Sequence, residues 1–234
     1  MKVDIWSDVR CPFCYIGKRK FEKALEQFPQ RDKLEVEWHS FELDPGLKTE
    51  TGVNVYEHLA RVKNISPESS IDLHGYVTEM AAKTGLEYNF DKAVIANSFD
   101  AHRLVQLAKQ HGLGDEAEER LFKAYFTEGK DISDHLTLIV LGNEIGLDGK
   151  QVKQMLDTDE FADEVRYEEK QARDIGINGV PYFVINDRYA VSGAREPEVF
   201  LHALQKSWEE YEQVNSRPVT IAQDRDICAP GKAC

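Results

Sequence analysis

The feature that most constrains this chain is a cysteine pair, Cys11-Pro12-Phe13-Cys14, placed where one backbone periodicity changes to another. Before it, Lys2-Val3-Asp4-Ile5-Trp6 alternates polar and apolar residues, as a half-buried strand does. After it, Phe21, Ala24, Leu25 and Phe28 recur at i, i+3, i+4 and i+7, the period of an amphipathic helix. Pro12 suits the first helical turn, where its missing N–H would have no intrahelical partner. The Cys11 sulfur is therefore expected over a helix N-terminus, close to unpaired N–H groups and the positive end of the macrodipole. That position favours a thiolate. Cys14, one turn further in, is expected to be more buried and less ionised. An exposed attacking thiol with a resolving thiol three residues later is the arrangement thiol–disulfide exchange requires.

Cys-x2-Cys is also half of a common zinc site. Such a site needs two more ligands, yet no second Cys-x2-Cys and no His-x3–5-His follows. The remaining cysteines, Cys228 and Cys234, stand at the C-terminal end. No metal site is expected.

The 234 residues, 41% of them hydrophobic, are enough for one large domain or two small ones. A formal net charge of −13 argues against nucleic-acid or anionic-membrane partners, which require basic patches. No run approaches the ~18 apolar residues of a membrane span. The first strand begins at Lys2, ahead of any room for a signal peptide, so a cytoplasmic location is expected. There, cysteine pairs more often serve catalysis or metal binding than structure.

Leu34 to Phe41 alternates as a second strand, giving strand–helix–strand with a parallel pair and a right-handed crossover. His39 reads as a partly buried strand residue; Asp8 and Arg10, flanking the motif, read as solvated loop charges. Pro45-Gly46 closes this block. From Val53 to about Gly176 the pattern is almost wholly helical, broken near Ser66-Pro67, Gly85, Gly112-Leu113-Gly114, Gly129, Gly146 and Asp157. Asn97, Ala101, Leu104 and Ala108 share one expected helix face. Glu168-Glu169 reads as part of a solvated one. Strand signals return at Tyr182-Phe183-Val184-Ile185 and Tyr189-Ala190-Val191, joined at Asn186-Asp187 as a hairpin. Val180-Pro181 precedes it, with either a trans or a cis bond open. Pro197 opens a final helix through Phe200, Ala203, Leu204 and Trp208.

Three segments in this order carry a resemblance: Ser7 to Arg19 around the cysteine pair, Asn97 to Leu104, and Gly176 to Phe183. Jointly they resemble the thioredoxin superfamily, in particular its DsbA-like branch and the FrnE-like cytosolic oxidoreductases, over roughly Lys2 to Tyr211. The resemblance implies an α/β fold: a discontinuous thioredoxin-like domain of residues 1–50 and 175–213, interrupted by an all-α insertion of residues 51–174. It implies thiol–disulfide oxidoreductase activity on protein or small disulfides, with Cys11 as nucleophile and Cys14 resolving. It further implies a cis Pro181 facing the pair and a Val180 backbone that receives a substrate strand. Pro12, Phe13, Asn97 and His102 would lie near bound substrate. A related branch, similar to hydroxychromene-carboxylate isomerases and kappa-class glutathione transferases, typically has serine at the first motif position and lacks the second cysteine. Both cysteines here favour dithiol chemistry, needing no cofactor beyond glutathione as a possible electron donor. Residues 214–234 form a tail whose Cys228 and Cys234, around a Pro230-Gly231 turn signal, are expected to act as an auxiliary redox pair.

Overall fold

The computed structural model describes residues 1–50 and 52–215. Among the described residues, four strands form one sheet in the order β2-β1-β3-β4. They are β1 (Lys2–Ser7), β2 (Glu35–Ser40), β3 (Tyr182–Ile185) and β4 (Tyr189–Ser192). β1 and β2 are parallel, with Ile5 opposite Trp38 and Trp6 opposite His39. β1 and β3 are antiparallel, pairing Ile5 with Phe183 and Trp6 with Tyr182. The hairpin between β3 and β4 turns at Asn186 and Asp187, with φ of 53° and 55°, the left-handed pair that matches strand twist in a two-residue turn.

The crossover between β1 and β2 is α1 (Pro12–Glu26). Its buried face, with α9 (Pro197–Asn215), covers one side of the sheet. Val3, Ile5, Phe183, Ile185 and Val191 there meet Phe21, Ala24 and Phe28 of α1 and Phe200, Leu204 and Trp208 of α9. Burying each large apolar side chain contributes about 1.5–3 kcal/mol against leaving it in water. On the opposite side, Trp6 packs with Ala172 of α8 (Ala162–Asp174) and with Ile177.

Between β2 and β3 lies the helical insertion: α2 (Val55–Lys63), α3 (Pro67–Lys83), α4 (Phe99–Gln110), α5 (Gly114–Phe122), α6 (His135–Glu144), α7 (Gly149–Leu156) and α8. Side chains of Asn54, Ser66, Asp134 and Asp148 accept from the first free N–H groups of α2, α3, α6 and α7, which fixes where those helices begin. The insertion is not a separate body. Its core includes Val9, Cys11, Cys14, Tyr15 and Ile16, so the motif lies at the junction of both cores. Tyr15 stacks on Phe122 at 4.9 Å and donates to Glu119 at 2.7 Å, joining α1 to α5.

Several expectations change. Asn97 precedes α4 rather than lying on its face: its Oδ1 accepts from the Phe99 N–H at 2.8 Å, a local bond that competes with helix. Glu168 and Glu169 are buried, not solvated, at 6% and 4% exposure. Burial holds because Glu168 is saturated: it accepts from the Ser40 N–H at 2.6 Å, Gln106 at 2.5 Å and Lys109 at 2.7 Å, and faces His39 at 3.2 Å. The end of β2 buries Trp38, His39 and Ser40 in succession, because α8 covers the face that alternation leaves to solvent. Cys228 and Cys234 lie outside the described residues.

Candidate active site at the junction of sheet and insertion

Cys11 is the N-cap of α1, extended at φ −84° and ψ 113°, with Pro12 opening the helix. Its N–H donates to the Asp8 carbonyl at 2.8 Å, and its own carbonyl accepts from the Cys14 N–H at 3.0 Å, so the motif turns tightly into the helix. Both cysteines carry free thiols. Cys14 is fully covered and Cys11 is 3% exposed, so the attacking thiol is far less open than expected. Both cysteines are part of the apolar core built largely by the insertion. Burial pushes the Cys14 thiol well up, and neighbouring Cys11 pushes it further.

The loop before β3 completes the site. Val180–Pro181 is cis, as the resemblance implies, and the Cys11 thiol donates to the Val180 carbonyl at 3.5 Å. Pro181 presses on α1: a Cβ at Gly17 would stand 2.9 Å from its Cγ. Phe13 projects from the motif at 38% exposure. Tyr88 of the insertion donates to the Pro12 carbonyl at 2.7 Å and stacks on Phe126 at 4.6 Å.

Asp8 is not a solvated charge. It is fully buried, accepting from the Arg10 N–H at 3.0 Å and the Leu43 N–H at 2.8 Å, with His102 Nε2 3.6 Å away. Burial opposes its ionisation, but His102 and Arg10 hold the carboxyl below its usual range. His102 is also fully buried and faces Asp8. Burial alone would lower its pKa; Asp8, Glu118 and Glu42 together raise it. The Asn97 amide bonds to the Leu47 carbonyl at 3.1 Å and the Glu42 carboxylate at 3.5 Å.

Sequence reading missed Glu118. It lies on α5, 1% exposed, and burial pushes its carboxyl up to about 7 against the opposing charge of His102. A signal was present: Glu118 precedes Leu121, Phe122 and Tyr125 by three, four and seven residues, the spacing of a single helix face. Tyr125 reaches that face through a wider π-helical turn at Lys123–Thr127.

Among the described residues, one group could converge on a metal ion: Asp4, Glu37 and His39. It contains neither motif cysteine, and the Lys2 ammonium already bridges Asp4 at 2.8 Å and Glu37 at 2.9 Å. Among the described residues, no helix is long and apolar enough to cross a membrane.

Comparison with known proteins supports the fold. The DSBA-like thioredoxin domain family matches residues 2–205. The uncharacterized protein YwbO of Bacillus subtilis (strain 168) is 33% identical over 205 residues, 86% of this chain and 94% of that protein. A probable DsbA oxidoreductase of Streptomyces coelicolor, SCO1869, superposes with a TM-score of 0.85 at 36% identity, covering 98% of this chain and 97% of that one. The cytosolic disulfide reductase DsbM of Pseudomonas aeruginosa, solved with GSH, shares the fold at 18% identity and a TM-score of 0.61, covering 92% of this chain and 99% of that one. With its sheet, its cysteine pair at the start of α1 and its helical insertion, this chain belongs to the DSBA-like thioredoxin domain family.

Proposed function

We propose that the protein is a dithiol–disulfide oxidoreductase of the cytoplasm, acting through Cys11 and Cys14. The observation that carries this reading is the pairing of a Cys11 thiol at the helix start, against the Val180 carbonyl, with a Cys14 thiol one turn deeper. The Cys11 sulfur attacks a substrate disulfide; one substrate sulfur leaves with the bonding electrons and the other stays on Cys11 as a mixed disulfide. Cys14 then attacks the Cys11 sulfur, forming the Cys11–Cys14 bond and releasing the second substrate thiolate. The substrate is reduced by two electrons and the pair oxidised by two. The reverse sequence oxidises a substrate dithiol.

Substrate would enter beside Phe13 and Val180, where an extended segment can pair with the backbone ahead of β3 with little sequence preference. Glutathione is the proposed donor that returns the pair to the dithiol, a role consistent with the GSH in the DsbM structure. Cys228 and Cys234 are proposed as a second pair that exchanges with the first.

Insulin-disulfide reduction by wild type, Cys11→Ser and Cys14→Ser tests the reading. Turnover should disappear in both variants. A glutathione-dependent isomerase or transferase would keep its activity without Cys14, and that result would replace this proposal.

A further inference from the structure

The helices α2, α3, α6 and α7 each begin under a capping side chain; among the described residues α1, which carries the motif, does not. Its first turn is closed by the backbone, through the Cys14 N–H and the Cys11 carbonyl at 3.0 Å, and Pro12 brings no N–H to it. A side chain of the insertion reaches the same turn. The Tyr88 hydroxyl donates to the Pro12 carbonyl at 2.7 Å, across 76 positions of chain.

Tyr88 lies between α3 and α4 and is 5% exposed. Its ring stacks on Phe126 at 4.6 Å and meets Phe90 edge-on at 5.5 Å. Both of its chain neighbours are tied to the π-helical turn Lys123–Thr127. The Asn89 N–H donates to the Phe126 carbonyl at 2.7 Å, and the Asn89 side-chain amide to the Thr127 carbonyl at 2.8 Å. The Thr127 hydroxyl donates to the Glu87 carbonyl at 2.7 Å. A single π turn beside an α-helix is uncommon and is found frequently at functional sites. Here it clamps residues 87–89 on both sides, which fixes where the Tyr88 hydroxyl points. Burial pushes the ionisation of that hydroxyl well above the usual tyrosine range, so it remains a donor.

We propose that Tyr88 is a positioning residue for resolution, holding the first turn of α1 so that the Cys14 sulfur stays aligned with the Cys11 sulfur. The inference rests on the dithiol reading above. In resolution the Cys14 sulfur bonds to the Cys11 sulfur, and the bond from Cys11 to the substrate sulfur breaks. The substrate sulfur leaves with that electron pair and takes the proton that Cys14 gives up. No further oxidant enters, because the substrate disulfide is the electron acceptor.

The two steps make different demands on the turn. Attack by Cys11 needs only that sulfur and an incoming disulfide. Resolution needs two sulfurs of the same turn in line, and a displacement of about 1 Å can slow such an intramolecular step about a hundredfold. A hydrogen bond from the insertion to the carbonyl between the two cysteines therefore bears on the second step and not on the first. The aromatic stacking of residue 88 does not depend on its hydroxyl, so Tyr88→Phe isolates the bond to Pro12.

The test uses full-length protein with Cys228→Ser and Cys234→Ser, so that only the motif thiols react. The reduced protein is mixed with 5,5′-dithiobis(2-nitrobenzoate) in a stopped-flow instrument. The first chromophore released reports Cys11 attack and is second order. The second reports Cys14 resolution and is first order. Tyr88→Phe should slow the second release about fivefold, the effect of one neutral hydrogen bond, and leave the first unchanged. The double variant Asn89→Ala/Thr127→Val, which loosens the clamp without touching the motif, should slow the second release about threefold. It decides the matter if Tyr88→Phe does not fold. A second release at the parent's rate in these variants would overturn the proposal. Equal slowing of both releases would overturn it too, since that is the mark of a merely structural role. A parent protein that releases only one equivalent would instead sink the dithiol reading itself.

Discussion

The Cys11 sulfur lies 3.5 Å from the carbonyl oxygen of Val180, a residue 169 positions further along the chain. The contact spans the entire insertion and joins the motif to the segment just ahead of β3. Under the proposed dithiol chemistry, an incoming disulfide would meet backbone hydrogen-bonding groups beside this thiol. Attack and docking are therefore expected to depend on the same few atoms.

That juxtaposition predicts an asymmetry between the two cysteines. A Cys14→Ser variant should accumulate a covalent adduct with a disulfide substrate, because attack proceeds and resolution does not. With Cys228 and Cys234 also replaced by serine, Cys11→Ser should form at least tenfold less adduct, since its remaining thiol, Cys14, is fully buried. Non-reducing electrophoresis with mass spectrometry of the trapped species checks this.

Gly17 should not tolerate a side chain. An added Cβ would come within 2.9 Å of Pro181 Cγ and 3.6 Å of the Ala194 Cα. The Ala194 distance is an ordinary contact, but Pro181 is a rigid ring, so the clash with it has no easy relief. Gly17→Ala should cost about 1–3 kcal/mol, the usual penalty for overpacking. Urea denaturation measures it, and the same variant should lose disulfide-reductase turnover as Pro181 is displaced from Cys11.

Glu118 predicts a pH-dependent stability. Its folded value, about 7, lies above the ordinary 4.5, so the folded state holds a proton that the unfolded chain has released. Stability from this group is complete below about pH 4.5 and declines as pH rises toward 7, by about 3 kcal/mol in all. Glu118→Gln should remove that decline. Comparing the change in unfolding free energy between pH 5 and pH 8 for the two proteins tests the sign and the size.

Glu168 titrates in the opposite sense. His39 and Lys109 overcome the effect of burial and hold its carboxyl at about 2, below the ordinary 4.5. Its contribution is complete above about pH 4.5 and is lost as pH falls toward 2. His39, raised by Asp4 and Glu168 against the effect of burial, contributes below about pH 6.5 and loses its contribution as pH climbs through its raised folded value. Glu168→Ala leaves His39 with Asp4 and Lys109 with Glu37 as their remaining acidic partners and should be destabilising near pH 6 by less than the about 3–5 kcal/mol of stranding a buried charge. The difference from wild type should shrink toward pH 2. Thermal melts across that range would show it.

Local pattern was enough for most of the architecture. The strand before Cys11, the helix after it, the Asn186-Asp187 hairpin and the helical run with its glycine and proline breaks are all periodicities of the chain with itself. Each is set by neighbours within a turn or a pleat. The motif cysteines were legible for the same reason, since their chemistry depends on three-residue spacing at a helix start.

Only the tertiary structure decided which charges are buried. Asp8 and Glu168 look like solvated residues in the sequence, because charge normally stays in water. They are covered because partners distant in the chain, His102 for Asp8 and His39 and Lys109 for Glu168, offset the loss of hydration. The burial of Cys11 within the core it shares with the insertion was likewise invisible, as it depends on how two cores meet. Sequence determined where the thiols are and what backbone holds them. Packing determined how enclosed they are, because desolvation depends on everything within several ångströms, whatever its position in the chain.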